Sequence, residues 1–197
     1  AERLAPFADY IVINVSSPNT PGLRALQDAD VLTRLITVVR AAAERSRKGA
    51  PPPLLVKIAP DLTSGDKQDI AAMALEQAVD GLIISNTTIE RPDSLQEPAS
   101  TEPGGLSGAP LFALSTAVLG DMYKLTEGRI TLIGAGGVSS GADAYAKICA
   151  GASLVQLYSA MALKGPGLVC NVKTGLSERL KADGFARVTD AVGVAFR

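Results

Sequence analysis

The chain has 197 residues, 47% hydrophobic and 20% charged, with a formal net charge of -1. That balance suits a globular domain and gives no basic excess to attract nucleic acid, and no apolar run nears the roughly 18 residues a membrane helix needs. Histidine is absent, which excludes a Ser-His triad, a Cys-His dyad and any histidine-held metal, so no metal site is expected.

The opening Ala1-Glu2-Arg3 lacks the layout of a secretory leader. From there, short Val/Ile/Leu-rich runs alternate with segments of helical period. The runs cover Tyr10 to Asn14, Leu54 to Ile58, Gly81 to Ser85, Ile130 to Gly134 and Leu154 to Tyr158. Each is short and almost continuously apolar, as parallel strands buried on both faces are. Between them Val31, Leu32, Leu35, Ile36, Val39 and Ala42 follow helical spacing. So do Ile70, Met73, Ala74 and Ala78, and then Val118, Leu119, Met122 and Leu125. Thr63, Ser64 and Asp66 supply one helix start, and Ser139 or Ser140 another. Cys149 and Cys170 fall in helix-like stretches and read as small buried thiols, too few for a disulfide framework. Strand and helix thus alternate five times, which implies right-handed crossovers and a parallel sheet. A complete eight-stranded α/β barrel takes about 250 residues. The expected fold is therefore the last five β/α units of a (β/α)8 TIM barrel, in a single domain over 1–197. Five strands would leave two unpaired edges, and such a segment is not expected to be stable alone.

Every run gives way to polar or glycine residues. After the first stands Asn14-Val15-Ser16-Ser17-Pro18-Asn19-Thr20, a set of carboxamides and hydroxyls that a packed core does not use. In α/β barrels this end of the strands holds the chemistry. After the second, Lys57 leads into Ala59-Pro60-Asp61; after the third comes Ser85-Asn86-Thr87-Thr88. Gly134-Ala135-Gly136-Gly137-Val138-Ser139-Ser140 succeeds the fourth, and Tyr158-Ser159 the fifth. A long connection, Glu90 to Ala109, carries Gly104-Gly105-Leu106-Ser107-Gly108, and loops of that length in a compact domain are usually functional. Gly136 and Gly137 either make a tight turn or let backbone N–H groups approach a phosphate, that of a mononucleotide because the dinucleotide fingerprint is incomplete. Lys57, a cation within an apolar strand, either makes a salt bridge inside the barrel or faces negative charge on a reduced cofactor. Asn14-Val15-Ser16 and Asn86-Thr87-Thr88 match the glycosylation sequon, but at buried strand ends they are not expected to be acceptors.

Six of these motifs, in this order, resemble dihydroorotate dehydrogenase: Asn14 to Thr20, Val56-Lys57-Ile58-Ala59-Pro60-Asp61-Leu62, Ser85 to Thr88, Gly104 to Gly108, Gly136 to Ser140, and Leu154 to Ser159. Together they cover the chain from residue 10 to about 193. Ser17 stands where soluble class 1 enzymes carry cysteine, and so is similar to the membrane-associated, quinone-reducing class 2. The stretches Pro51 to Lys57 and Phe112 to Thr116 look most like mitochondrial members.

The resemblance implies oxidation of dihydroorotate to orotate with FMN as hydride acceptor and ubiquinone as final acceptor, in UMP biosynthesis. It implies Ser17 as the base that takes the proton from C5, helped by a relay through Thr20 or water. Asn14, Asn19, Asn86 and Thr87 would hold the substrate, with Asn14 also near the cofactor. Lys57 and Ser85 would contact the flavin ring, and Ser107, Gly108, Gly136, Gly137, Tyr158 and Ser159 its ribityl phosphate. It further implies peripheral attachment to the mitochondrial inner membrane through an N-terminal region, with the family's first three strands, outside these residues. The alternatives are another FMN barrel acting on a different flat substrate, and a truncated, non-catalytic fragment.

Overall fold

The computed structural model describes residues 1–46, 49–96 and 98–197. Five parallel strands form one sheet in sequential order: β1 (Ile11–Asn14), β2 (Leu54–Ile58), β3 (Gly81–Ile84), β4 (Thr131–Ala135) and β5 (Leu154–Gln156). The order never reverses, so the sheet has no topological switch point of the doubly wound kind. Sequential parallel pairing through helical crossovers is the connectivity of an arc of a β/α barrel. The helices are α1 (Ala29–Ser46), α2 (Ser64–Glu76), α3 (Phe112–Leu125), α4 (Gly141–Cys149), α5 (Ser159–Lys164), α6 (Gly167–Ala182) and α7 (Val188–Ala191).

Alternation along the strands divides the apolar residues between two faces. Ile13, Leu54, Val56, Ile58, Leu82, Ile84 and Leu132 pack with Leu32, Ile36, Ile70, Leu119, Met122 and Ile148 of the helices, forming the main core. The intervening positions Leu55, Ile83, Ile133 and Ala135, with Val12 against them, make a second, smaller cluster on the opposite face. Register aligns Asn14 with Lys57, Lys57 with Ile83, Ile83 with Ile133 and Ile133 with Leu154. Lys57 and Asn14 therefore share the face away from the helices, at the strands' carboxyl ends.

Local signals act as expected at two helix starts. Thr63 caps α2: its hydroxyl accepts from the Asp66 N–H at 3.2 Å, while an Asp66 carboxylate oxygen accepts from the Thr63 N–H at 2.9 Å. This reciprocal pair satisfies two otherwise orphan donors. Of the two serines offered for α4, Ser140 is the cap, accepting from Asp143 N–H at 3.1 Å. Ser139 instead donates to the Asp143 carboxylate.

Two expectations are corrected. The fifth strand ends at Gln156, because Leu157 and Tyr158 turn the chain into α5, and Leu154 is 59% exposed, so this strand is not covered on both faces. Cys170 is exposed and Cys149 only half-buried; α6 turns Val172 inward and leaves Cys170 on its outer side.

Candidate functional site

A cavity of about 710 Å³ opens at the carboxyl ends of the strands. That lies within the roughly 300–1,000 Å³ range of small-molecule sites. Lys57, Ser85, Asn86, Thr87, Ser107, Gly108, Gly136, Gly137, Tyr158 and Ser159 all line it, so residues up to about a hundred positions apart in the chain share one wall. The remaining expected residues, Asn14, Ser17, Asn19 and Thr20, do not line this cavity.

Asn14 and Asn86 connect the two groups. The Asn86 Nδ2 donates to Asn14 Oδ1 at 3.2 Å and to Ser16 Oγ at 3.1 Å, and Ser16 Oγ donates to Asn14 Oδ1 at 3.0 Å. The Asn86 Oδ1 accepts from the Thr87 N–H at 2.8 Å, which fixes the amide's orientation. Ser16 is buried completely. Ser17 Oγ accepts from the Asn19 N–H at 3.3 Å, and Asn19 Oδ1 accepts from Gly105 N–H at 3.0 Å. The long loop is thus tied to the loop after β1. It is tied to the third loop by a two-way backbone pairing of Thr88 with Leu106. Gly105 must be glycine there, since a Cβ would stand 2.0 Å from Thr87 Oγ1 and 2.9 Å from Pro18 Cγ.

Behind these loops lies an ion pair that sequence motifs alone did not reveal. Arg24 donates through Nη1 to Asp61 at 2.7 Å, through Nη2 to the Thr87 carbonyl at 2.9 Å and through Nε to the Ser16 carbonyl at 3.2 Å. Asp61 also accepts from the Thr88 hydroxyl and from the Ile89 N–H. One guanidinium therefore joins the loops after β1, β2 and β3, using the fixed fork that lysine lacks. Asp61 belongs to the Val56 to Leu62 motif, yet nothing in its spacing points to Arg24.

Lys57 forms no ion pair among the described residues, so the expected alternative of a salt bridge inside the barrel is not seen. Burial lowers its pKa from the ordinary value, because the cation loses hydration on the sheet's inner face. The glycine turn is built by close packing. Gly136 and Gly137 have φ of 97° and 76°, and a Cβ at Gly137 would lie 2.5 Å from Phe112 Cβ. Ser159 Oγ donates to Ser107 Oγ at 2.9 Å, closing the hydroxyl side of the cavity.

Among the described residues, Thr87 Oγ1 is the buried side-chain oxygen or nitrogen that makes no hydrogen bond, and it packs against Gly105. Glycines without side chains at one end, two hydroxyls beside them, and an unpaired cation with carboxamides at the other suit a flat ring carrying a phosphate. The residues present fit FMN.

Fold and cavity together define an α/β-barrel type of protein with a ligand site at the carboxyl ends of parallel strands. Residues 1–180 match the family model for dihydroorotate dehydrogenase. A protein of Rhodospirillum rubrum named dihydroorotate dehydrogenase (quinone) is 56% identical over 195 residues, 99% of this chain and 53% of its own length. The Arabidopsis thaliana protein named dihydroorotate dehydrogenase (quinone), mitochondrial, is 57% identical over 198 residues, 99% of this chain and 43% of its own. The crystal structure of DHODH in complex with ferulenol from Eimeria tenella superposes with a TM-score of 0.95 at 46% identity, covering all of this chain and 56% of that one. The chain belongs to the dihydroorotate dehydrogenase family, and it spans about half the length of the curated relatives it matches.

Proposed function

We propose that this chain carries the substrate and flavin walls of an enzyme that oxidises dihydroorotate to orotate in pyrimidine biosynthesis, with FMN as first acceptor and ubiquinone as final one. The observation that carries the reading is the Asn14-Ser16-Asn86 network, which reaches the glycine-lined cavity through Asn86. Its carboxamides offer both donors and acceptors, as a planar ring amide with a carboxylate requires.

FMN, when bound, supplies the hydride acceptor for C6 of the substrate. Ser17 takes the proton from C5. The N–H of Asn19 donates to Ser17 Oγ and fixes the hydroxyl's position, and the hydroxyl's own proton leaves as the C5 proton arrives. Thr20, three residues on, or water passes the proton outward. Asn14, Asn19, Asn86 and Thr87 hold the substrate plane, and such positioning can contribute several kcal/mol to lowering the barrier. Lys57 and Ser85 face the flavin ring, while Ser107, Gly108, Gly136, Gly137, Tyr158 and Ser159 hold its ribityl phosphate.

Relatives in Arabidopsis thaliana, Oryza sativa and Mus musculus are named mitochondrial. By resemblance we assign the protein to the mitochondrion, at the inner membrane. No described helix is long and apolar enough to cross a membrane; by the same resemblance we assign peripheral attachment to an N-terminal region outside these residues. The test is the visible absorbance of the FMN-loaded native protein, held without oxygen, before and after dihydroorotate. Bleaching, reversed by a short-chain ubiquinone, is expected. A flavin that dihydroorotate does not bleach but another flat substrate does would overturn the reading in favour of a different FMN barrel.

A further inference from the structure

The completely buried polar residues include a lysine that the proposed chemistry does not use. Lys147, on the inner side of α4, has no exposed surface. Its Nζ donates to Ser115 Oγ at 2.6 Å and to the Ala135 carbonyl at 3.3 Å, and lies 5.1 Å from the centre of the Phe112 ring. Gly134 lies against its stem, where a Cβ would meet Lys147 Cδ at 3.1 Å. Among the described residues no carboxylate stands within ion-pair distance. The charged group that acts on it is Asp143, one turn earlier on the same helix, whose Oδ2 already accepts from the Ser139 N–H and hydroxyl. From α3 and β4 the polar and ring groups that its ammonium meets among the described residues are Ser115, Phe112 and the Ala135 carbonyl, none of them titratable as an anion. A buried cation without a paired anion is costly, and its neighbours here supply only neutral acceptors.

Its position suggests what compensates it. Ser115 Oγ, which accepts from Lys147, lies within hydrogen-bond distance of the Gly136 carbonyl at 3.2 Å, and a Cβ on Gly136 would stand 2.9 Å from that same Oγ. The ammonium therefore sits directly behind the glycine turn that forms one end of the cavity. We propose that Lys147 is a positioning residue: its buried ammonium is the counter-charge for a phosphate monoester seated on the Gly136-Gly137 turn, and it acts through Ser115 and the Ala135 carbonyl. The inference rests on the FMN reading and assigns that site's preference for a phosphorylated flavin to a residue that touches no ligand.

Burial holds Lys147 down to about 7 while no ligand is bound. An adjacent phosphate, dianionic above its second ionisation near pH 6, restores the proton. Affinity for FMN should then fall as pH rises from 7 to 9, with proton uptake on binding, while affinity for riboflavin, which lacks the phosphate, stays level.

The experiment titrates flavin-stripped, full-length enzyme with FMN and with riboflavin, using flavin fluorescence, at pH 6.5 to 9. Wild type, Lys147→Met and Ser115→Ala are compared. Lys147→Met should weaken FMN tenfold or more, leave riboflavin within twofold and abolish the pH dependence of the FMN-to-riboflavin ratio. Ser115→Ala should weaken FMN less and keep that dependence. A wild-type ratio that is flat with pH, or a Lys147→Met protein with an unchanged ratio, overturns the inference. If the variant does not fold, the wild-type profile decides alone. Wild type that binds neither flavin overturns the FMN reading and this inference with it.

Discussion

At the residue scale the site is held by a few groups whose partners lie far away in sequence. Ser17 is the clearest candidate for proton transfer, and general base catalysis is typically worth about 10²–10⁴-fold. Ser17→Ala should slow anaerobic flavin reduction by dihydroorotate within that range in stopped-flow traces, with FMN content unchanged. An unslowed reaction would remove Ser17 from the role. Arg24 is expected to act without touching ligand. Arg24→Lys keeps the charge but cannot reach Asp61, Ser16 and Thr87 together. It should raise KM for dihydroorotate several-fold and lower the denaturation midpoint. Asp61→Ala, which takes away the guanidinium's carboxylate, should be worse, but below the roughly 3–5 kcal/mol of a fully buried pair because Arg24 keeps 23% of its side chain exposed. Urea denaturation of the native protein compares the two.

At the element scale two local devices place the loops. The capping box on α2 sets where the loop after β2 ends, and Thr63→Ala should cost about 1 kcal/mol in chemical denaturation. The hydrogen bonds from Thr63 hold the Asp66 carboxyl below the usual carboxylate range. A depressed carboxyl stabilises the folded state above its unfolded value and loses that contribution as pH falls through the folded one, so the Thr63→Ala difference should shrink in acid. The second device is the glycine turn lying on the start of α3. At Gly137 the positive φ and the 2.5 Å approach of a Cβ to Phe112 both demand glycine. Gly137→Ala should therefore lose FMN before it loses secondary structure, which circular dichroism and flavin release would separate.

Across the whole molecule the sheet is an arc, with β1 and β5 each paired on one side only among the described residues. Phe7 at 88% and Leu163 at 87% exposure, with Leu154 uncovered on β5, add exposed apolar surface. Open edges and exposed apolar groups promote association. Residues 1–197 expressed alone should thus self-associate at micromolar concentration, seen as excess light scattering, and a monomeric, cooperatively unfolding segment would contradict this.

The strands, their parallel order and the polar residues at their carboxyl ends were legible in the sequence, because a strand buried on both faces must be continuously apolar and a barrel site must be polar where the strands stop. Lys57, Asn86 and the pair Gly136-Gly137 stood out for that reason: each interrupts an apolar pattern or permits a close backbone approach. Arg24-Asp61 and Lys147 did not stand out. Arg24 and Asp61 meet only because three loops converge, and no local spacing encodes that convergence. Lys147 comes after Ala144 at a helical interval and precedes Ile148, so its inward side was implied by the period of α4. Whether its charge would find an anion there, or only Ser115 and a carbonyl, depended on α3 and β4 packing around it. Sequence determined which residues are available to the site; tertiary packing alone decided which charges are paired, since pairing depends on distances that chain separation does not set.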